Sequence, residues 1–303
     1  MATVTSIGIG NMGAALASTL LKSATPPKLT IWNRTADRPQ VKALVTEGAT
    51  LEPSLATAIA RSDTLLICLL DYPSITSILQ TLQDGDPQLL AGKTIINVTN
   101  GTPAQARAME SHFKTLGAKA YFDGAIMVTP QLVGTPAAFV VLSGENEALF
   151  RSLGADMLLK PIGAVQYISS PDAGAASLYD VAALAGMYGM FMGAFTGIAL
   201  LKKQRGGAGQ EAKPAVDGVM VPMLNALVPY VSLLAERVDG EKWMDDLGNP
   251  LAMQAVGVKN ILQACREEGV DGTGLEFLAK LMEKAVAEGF GEGGVAAIAK
   301  YLF

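Results

Sequence analysis

The sequence predicts an α/β fold in three parts: a doubly wound N-terminal sheet, a long interdomain helix and a C-terminal all-α bundle. Over the first 170 residues, short strand-like runs alternate with helical runs, which is typical of a mainly parallel sheet covered by helices. A run of 21 residues without a charge follows at 181–201, and only helical patterns come after it. The predicted domains are therefore 1–170, 171–205 and 206–303.

The predicted strands are apolar runs that end where glycine, proline or polar residues begin. In chain order they cover residues 4–8, 29–32, 64–70, 93–98, 120–122, 138–143 and 166–169. One predicted helix follows Gly13, and the others cover residues 41–47, 54–60, 75–83, 103–116 and 147–157. Strands and helices that alternate in such short units indicate a doubly wound sheet.

The long helix is predicted to have Ser170 as its cap and Pro171 at its first position. Gly189, Gly193 and Gly197 follow in GxxxG spacing, and length alone would also fit a membrane span. Close approach of another helix explains the glycines equally well, and we expect no membrane partner.

The C-terminal part begins with a glycine-rich break at 205–209. Helices are predicted at residues 216–235, 250–268, 274–288 and 294–302. This bundle offers few local partners for the apolar face of the long helix. We therefore expect a homodimer in which two subunits wrap around each other's long helix.

Composition excludes several other classes of protein. Half of the residues are hydrophobic and the net charge is −5, which provides a large core and disfavours a nucleic-acid partner. Cys68 and Cys265 lie far apart, and His112 is the single histidine, so no metal site is expected. No basic region precedes the first strand, which favours a cytoplasmic protein without a signal peptide.

A glycine motif follows the first strand and opens the first helix, as in the Rossmann dinucleotide-binding turn. Gly8 permits the tight turn, Gly10 lets the backbone approach a pyrophosphate, and Gly13 lets the helix pack on the strand. The amino end of the helix attracts the phosphates. The motif predicts a dinucleotide cofactor.

The end of the second strand indicates which dinucleotide is bound. NAD enzymes place a carboxylate there for the ribose hydroxyls, whereas this chain has Asn33, Arg34 and Thr35. Arg34 can pair with a 2′-phosphate, and its neighbours add neutral hydrogen bonds, so we predict NADPH. An ordinary solvated role for Arg34 is the alternative. The predicted cofactor-binding residues are Gly8, Gly10, Asn11, Met12, Gly13, Asn33, Arg34, Thr35, Leu69, Leu70 and Asn100.

Seven segments together resemble imine reductases, and among these the fungal reductive aminases in particular. They are GIGNMG, WNRT, LLDYPS, NVTNGTP, FDGAIMVTPQ, SLYDVAALAGMYG and EGVDGTGLEFLAKLMEKAVAEGFGEGGVAAI. The resemblance spans nearly the whole chain and places it within the β-hydroxyacid dehydrogenase-like superfamily. Those dehydrogenases carry a proton-shuttling lysine on the long helix, but this chain has no lysine between Pro161 and Leu201. The imine-reductase aspartate matches Asp180.

The sequence around Asp180 contains no basic side chain within two helical turns. Burial in this apolar segment would raise the pKa of the carboxyl group and let it hold a proton near neutral pH. A carboxylate about 4 Å from an iminium gains roughly 4 kcal/mol at an effective dielectric constant near 20. A lysine there would cost about as much, which favours reduction of C=N over C=O. A solvated helix acid is the alternative.

The resemblance also implies roles for Tyr188 and Asn100, which would orient the substrate amine beside the catalytic Asp180. Tyr188 lies about 80° around and roughly 12 Å along the same helix from Asp180. A core or interface role for Tyr188 and a plain turn role for Asn100 are the alternatives. The predicted substrate-pocket residues are Met127, Met220, Met253 and Gln254.

The predicted function is NADPH-dependent imine reduction, with preformed imines or a ketone or aldehyde plus an amine as substrates. One alternative is an NADP-dependent β-hydroxyacid-type dehydrogenase, because Lys259-Asn260 resembles the lysine–aspartate pair that holds a substrate acid. The other alternative is a non-catalytic NADPH-binding protein. The resemblance of the aspartate-type helix also implies R-selectivity.

Overall fold

The computed structural model divides the chain into two compact units, Met1–Ala185 and Gly186–Phe303. It describes residues 2–82, 86, 88–205, 211–245 and 248–303. Residue 83, at the end of the predicted helix 75–83, lies outside the described residues, as do residues 206–209 of the predicted break.

The first unit is built on a sheet that has eight strands within the described part of the chain. They are β1 (Thr3–Ile7), β2 (Lys28–Trp32), β3 (Thr50–Leu51), β4 (Thr64–Ile67), β5 (Thr94–Asn97), β6 (Ala120–Ile126), β7 (Phe139–Gly144) and β8 (Ala164–Tyr167). Their order is β3-β2-β1-β4-β5-β6-β7-β8, and only β6 and β7 pair antiparallel. The predicted doubly wound, mainly parallel sheet is confirmed. The strand order reverses between β1 and β4, where this fold binds ligands.

Seven α-helices connect these strands in the described part of the first unit, and a 3₁₀ helix (Pro130–Leu132) lies between β6 and β7. The α-helices are α1 (Asn11–Leu21), α2 (Pro39–Thr46), α3 (Leu55–Ala60), α4 (Tyr72–Gln80), α5 (Pro103–Thr115), α6 (Glu147–Ser152) and α7 (Ala155–Leu159). The single predicted helix at 147–157 is wrong, because Gly154 adopts a left-handed conformation with φ of 69° and separates α6 from α7.

Apolar side chains fill both faces of the sheet. Neighbouring residues on one strand point to opposite faces, so Leu65 and Leu66 belong to different core clusters, as do Ile95 and Ile96. One cluster packs against α1, α2, α6 and α7, and the other against α3, α4 and α5. Burial on both faces explains why these strands read as continuous apolar runs.

The long helix α8 (Gly174–Leu201) has 28 residues and begins later than predicted. The predicted cap Ser170 and first-position Pro171 both lie before it. Asp172 takes the capping role instead, because its Oδ1 accepts a hydrogen bond from the Gly174 N–H at 2.9 Å. Arg107 holds both oxygens of Asp172 at 2.8 Å.

The described residues of the second unit form helices joined by turns, and none of them belongs to a strand. After α8 come α9 (Lys213–Ala215), a π-helical turn (Val216–Met220), α10 (Val221–Leu227), α11 (Tyr230–Asp239), α12 (Leu251–Glu268), α13 (Thr273–Ala285), a second π-helical turn (Val286–Phe290) and a 3₁₀ helix (Val295–Tyr301). The single predicted helix at 216–235 is interrupted by Pro222 and Pro229, which lack the N–H that a helix interior needs.

Two helical stretches, Gly174–Leu201 and Lys213–Asp239, are long and apolar enough to cross a membrane, judged by length and composition alone. A helix that other protein surfaces cover passes the same test. Two such stretches are therefore only weak evidence of membrane insertion.

Candidate active site

The glycine-rich turn between β1 and α1 depends on the absence of side chains at two positions. Gly8 has φ of 96°, and a Cβ there would overlap the carbonyl of Cys68. A Cβ on Gly13 would overlap the carbonyl of Gly8, so α1 can approach β1 only with glycine at this place. Gly10 has no atom within 4 Å of its Cβ position, which leaves room for a ligand against the backbone.

A cleft of about 490 Å³ lies beside this turn, at the carboxyl ends of β1, β2 and β4. It brings together ten of the eleven predicted cofactor-binding residues, and the exception is Asn100. A cleft of about 560 Å³ between α4 and α5 has no glycine, lysine or arginine in its lining and suits a nucleotide less well. The additional residues of the first cleft are Trp32, Arg38, Cys68, Ser74 and Ile78.

The cleft is cationic where the adenosine half of a dinucleotide would lie. Arg34 and Arg38 both line it, and no carboxylate is among its lining residues. Two guanidinium groups beside the end of β2 suit a 2′-phosphate, so these residues fit NADPH. Sequence reasoning missed Arg38, although a second arginine four residues after Arg34 was a readable signal.

Asn33 differs from its expected role at the phosphate. Its Oδ1 accepts a hydrogen bond from the Ile9 N–H at 2.8 Å, and its Nδ2 donates to the Thr35 carbonyl at 2.8 Å. The side chain therefore ties the glycine-rich turn to the turn after β2. Asn33 therefore shapes the cleft, whereas Arg34 and Arg38 supply the positive charge that a phosphate would need.

Asn100 and Asp180 meet although they are 80 residues apart in sequence. Asn100 follows β5 in the turn before α5, whose cap Thr102 and residue Gln105 form a capping box. Asp180 lies two turns into α8. The Asn100 Nδ2 donates to Asp180 Oδ2 at 2.6 Å.

The carboxyl group of Asp180 is buried, with 7% of the residue exposed. Burial raises its pKa above the usual value for aspartate, and the hydrogen bond from Asn100 lowers the pKa by less. No described lysine or arginine forms an ion pair with it. The site therefore holds a buried carboxyl group with a raised pKa that no described cation neutralises.

The predicted pocket residue Met127 lies immediately after β6 and is half-buried. Its N–H donates to the Phe139 carbonyl at 2.9 Å, which continues the β6–β7 ladder by one residue. Its side chain is not among the lining residues of the cofactor cleft. A place for Met127 in a substrate pocket stays a prediction.

The remaining predicted site residues belong to the second unit. Tyr188 is 63% exposed and meets Phe191 edge-on, with ring centroids 6.1 Å apart. Met220 lies beside Gly197, Met253 is exposed on α12, and Gln254 donates to the Asn249 carbonyl at 2.6 Å. Their roles in catalysis and in substrate binding stay predictions.

Lys259 was the residue that favoured an acidic substrate. Its Nζ forms an ion pair with Glu283 Oε1 at 3.1 Å, between α12 and α13. This carboxylate already balances the lysine charge, which weakens the case for a substrate acid at that position.

Comparisons with known proteins agree with the cleft. Residues 3–126 match the family model for the NAD binding domain of 6-phosphogluconate dehydrogenase, and residues 172–302 match the model for the C-terminal domain of NADPH-dependent reductive aminase-like proteins. An NADPH-dependent reductive aminase of Aspergillus oryzae is 35% identical over 297 residues, which cover 97% of this chain and 95% of the relative.

Two solved structures of a reductive aminase from Aspergillus terreus are also similar. One, in complex with NADPH and ethyl levulinate, is 38% identical with a TM-score of 0.88 and covers 100% of both chains. The other, in complex with NADPH4, cyclohexanone and allyl amine, is 37% identical with a TM-score of 0.87, covering 100% of this chain and 99% of that one. Since the identity extends over almost the whole chain, this protein belongs to the NADPH-dependent reductive aminase family of imine reductases.

Proposed function

We propose that this chain reduces the C=N bond of imines with NADPH and that Asp180 is the acid–base group of the reaction. The observation that carries the proposal is the buried carboxyl group whose described hydrogen-bond partner is the neutral amide of Asn100. A buried acid without a paired cation favours a positively charged electrophile such as an iminium.

The two oxygens of Asp180 have different tasks in this proposal. Asn100 holds Oδ2, while Oδ1 has no hydrogen-bond partner among the described residues and is assigned to the substrate nitrogen. NADPH, when bound, supplies a hydride to the imine carbon. As the C=N electron pair moves to nitrogen, the Asp180 carboxyl group donates the proton that completes the amine, or its carboxylate stabilises an iminium that is already protonated.

We also propose that the site couples a ketone or aldehyde with an amine before reduction, which gives the imine and releases the carbonyl oxygen as water. The similar reductive aminase from Aspergillus terreus has been solved with cyclohexanone and allyl amine, which supports this substrate class. In this reading Asp180 accepts a proton from the incoming ammonium, because only the neutral amine attacks a carbonyl group. Tyr188 orients the amine, as the resemblance implies.

A side-by-side assay tests the proposed reaction against its alternatives. We expect NADPH oxidation with a cyclic imine and no NADP⁺ reduction with 3-hydroxyacids, because this chain has no lysine between Pro161 and Leu201 to take the part of the dehydrogenase lysine. Turnover of the hydroxyacids alone would indicate a dehydrogenase. Tight NADPH binding without turnover over a broad imine panel would indicate a non-catalytic binding protein.

We further propose a homodimer that covers the exposed apolar side chains of the second unit. On α8 these include Tyr188, Phe191 and Phe195, which are 63%, 39% and 62% exposed. An exposed aromatic surface of this kind is typical of a protein interface. A cytoplasmic location is part of the same proposal, supported by the unpaired Cys68 and Cys265.

Light scattering on the purified protein measures the proposed assembly. We expect a species of twice the 31.5 kDa chain mass at micromolar concentration, obtained without detergent. A sharp monomer in the same buffer would contradict the dimer. A protein that stays in solution only with detergent would favour the membrane reading of the two apolar helical stretches.

A further inference from the structure

Three polar residues lie side by side on three neighbouring strands of the sheet. Asn97 on β5 pairs in register with Asp123 on β6, which in turn pairs with Ser143 on β7. All three are fully buried. Paired residues of a sheet point to the same face, so these residues form one row, here called the polar row. Sequence reasoning gave none of them a function.

Asp123 is the centre of the polar row. Its Oδ2 accepts hydrogen bonds from Tyr72 Oη at 2.6 Å, Tyr121 Oη at 2.7 Å and Asn97 Nδ2 at 3.0 Å, and its Oδ1 accepts from Ser177 Oγ at 2.8 Å. Tyr72 and Tyr121 are the titratable groups that face it. Burial raises the pKa of Asp123 to about 6. A buried carboxylate that only neutral donors hold stabilises a fold less well than apolar packing would, so a purely structural role explains it poorly.

The first element attached to the polar row is the amino end of α8. Ser177 donates to Asp123, and the Ala176 N–H donates to Ser143 Oγ at 2.9 Å. Asp180 is three residues after Ser177, less than one turn further along the same helix. The row therefore fixes the turn of α8 that carries Asp180.

The second element is the turn that carries Asn100. The Thr99 N–H donates to Asn97 Oδ1 at 3.2 Å, which anchors the turn to the row. On the other side of Asn100, a Cβ on Gly101 would overlap the ring of Tyr72, so glycine lets the turn lie directly on that ring. Asn100 is thus held between Asn97 and Tyr72, and both of these residues donate hydrogen bonds to Asp123.

We propose that Asp123 is a positioning residue that fixes the Asn100–Asp180 pair, through Ser177 on one side and Tyr72 on the other. The proposal rests on the proposed role of Asp180 in imine reduction. Asp123 itself touches no substrate in this scheme. It attaches both Asn100 and Asp180 to one buried carboxylate, and so keeps the Asp180 carboxyl group in the place where it delivers its proton.

Replacing Asp123 itself would leave four buried donors without an acceptor and endanger folding, so the test uses single hydroxyl deletions. Ser177→Ala and Tyr72→Phe each cut one of the two attachments. Tyr121→Phe is the matched control, because it removes a hydrogen bond of similar length to the same carboxylate but contacts neither Asn100 nor α8. It also removes the bond that Tyr121 Oη accepts from Asn97 Nδ2, but Asn97 keeps its own bond to Asp123 and so still anchors the Asn100 turn. Each variant is measured for its thermal unfolding midpoint and for kcat and KM with a cyclic imine from pH 5 to 9.

We expect Ser177→Ala and Tyr72→Phe to lower kcat about tenfold and to move the alkaline limb of the kcat profile about half a unit to lower pH. A loosened Asp180 gains water, which returns its pKa toward the ordinary value. Tyr121→Phe should lower the unfolding midpoint to a similar extent and leave kcat and its pH profile in place.

Two results overturn the proposal. If all three variants lose stability while kcat and its profile stay unchanged, the polar row serves folding alone. If Tyr121→Phe alters the profile as much as the other two, the attachments to α8 and to the Asn100 turn have no special part. Asp180→Asn is measured alongside to test the proposed chemistry separately. If Asp180→Asn stays active, the proposed role of Asp180 is wrong; if it is inactive and the row variants keep kcat, only the role of Asp123 is wrong.

Discussion

Asp180→Asn is expected to lower kcat for a cyclic imine by about 10² to 10⁴, the usual contribution of a positioned proton donor. Asparagine has the same size and can still accept the hydrogen bond from Asn100, but it carries neither a proton for nitrogen nor a charge for an iminium. NADPH affinity should stay close to that of the parent protein, because Asp180 is not among the lining residues of the cofactor cleft. NADPH oxidation measures kcat, and quenching of protein fluorescence measures cofactor binding.

Asp172→Asn is the matched control, since Asp172 is the other acid at the beginning of the long helix. Its carboxylate pairs with Arg107 near the surface and caps Gly174, and the asparagine oxygen can keep the capping bond. An exposed ion pair contributes about 1 kcal/mol or less, so turnover should change little. Full activity of Asp180→Asn, or an equal loss in both variants, would refute the assignment of Asp180.

The fold was readable from the sequence where local pattern and tertiary structure agree. Strands buried on both faces appear as apolar runs, and the glycine-rich turn after the first of them indicates the doubly wound sheet. β3 was missed because its two residues have no pattern of their own and pair only with β2. The break at Gly154 was missed because a glycine within a helical pattern does not reveal its backbone conformation.

The individual residues of the candidate site could be predicted from the sequence, but the contacts between them could not. Asp180 and Asn100 each stand out in sequence, one as a lone acid in an apolar helix and the other in a turn after a strand. Their hydrogen bond depends on how α8 docks against the end of β5, which no local pattern records. Asp123 was missed for the same reason, because its four donors come from three separate strands and helices and from its own strand.

Replacing Arg34 and Arg38 together by alanine is expected to lower kcat/KM for NADPH by about 100-fold or more. Each guanidinium can make charge-assisted hydrogen bonds to a 2′-phosphate, and such bonds contribute about 1.5 to 3 kcal/mol apiece. NADH has no phosphate at that place, so its kcat/KM should change little. Initial rates with both cofactors and one cyclic imine give the ratio directly.

Lys42→Ala controls for the general loss of positive charge, because Lys42 is exposed on α2 but does not line the cleft. The expected loss for the arginine variants should also shrink at high salt, since added ions screen exposed charges and weaken NADPH binding to the parent protein. An equal fall in kcat/KM for NADPH and NADH would show that the arginines only shape the turn. In that case Asn33 and the backbone, rather than charge, would account for the choice of cofactor.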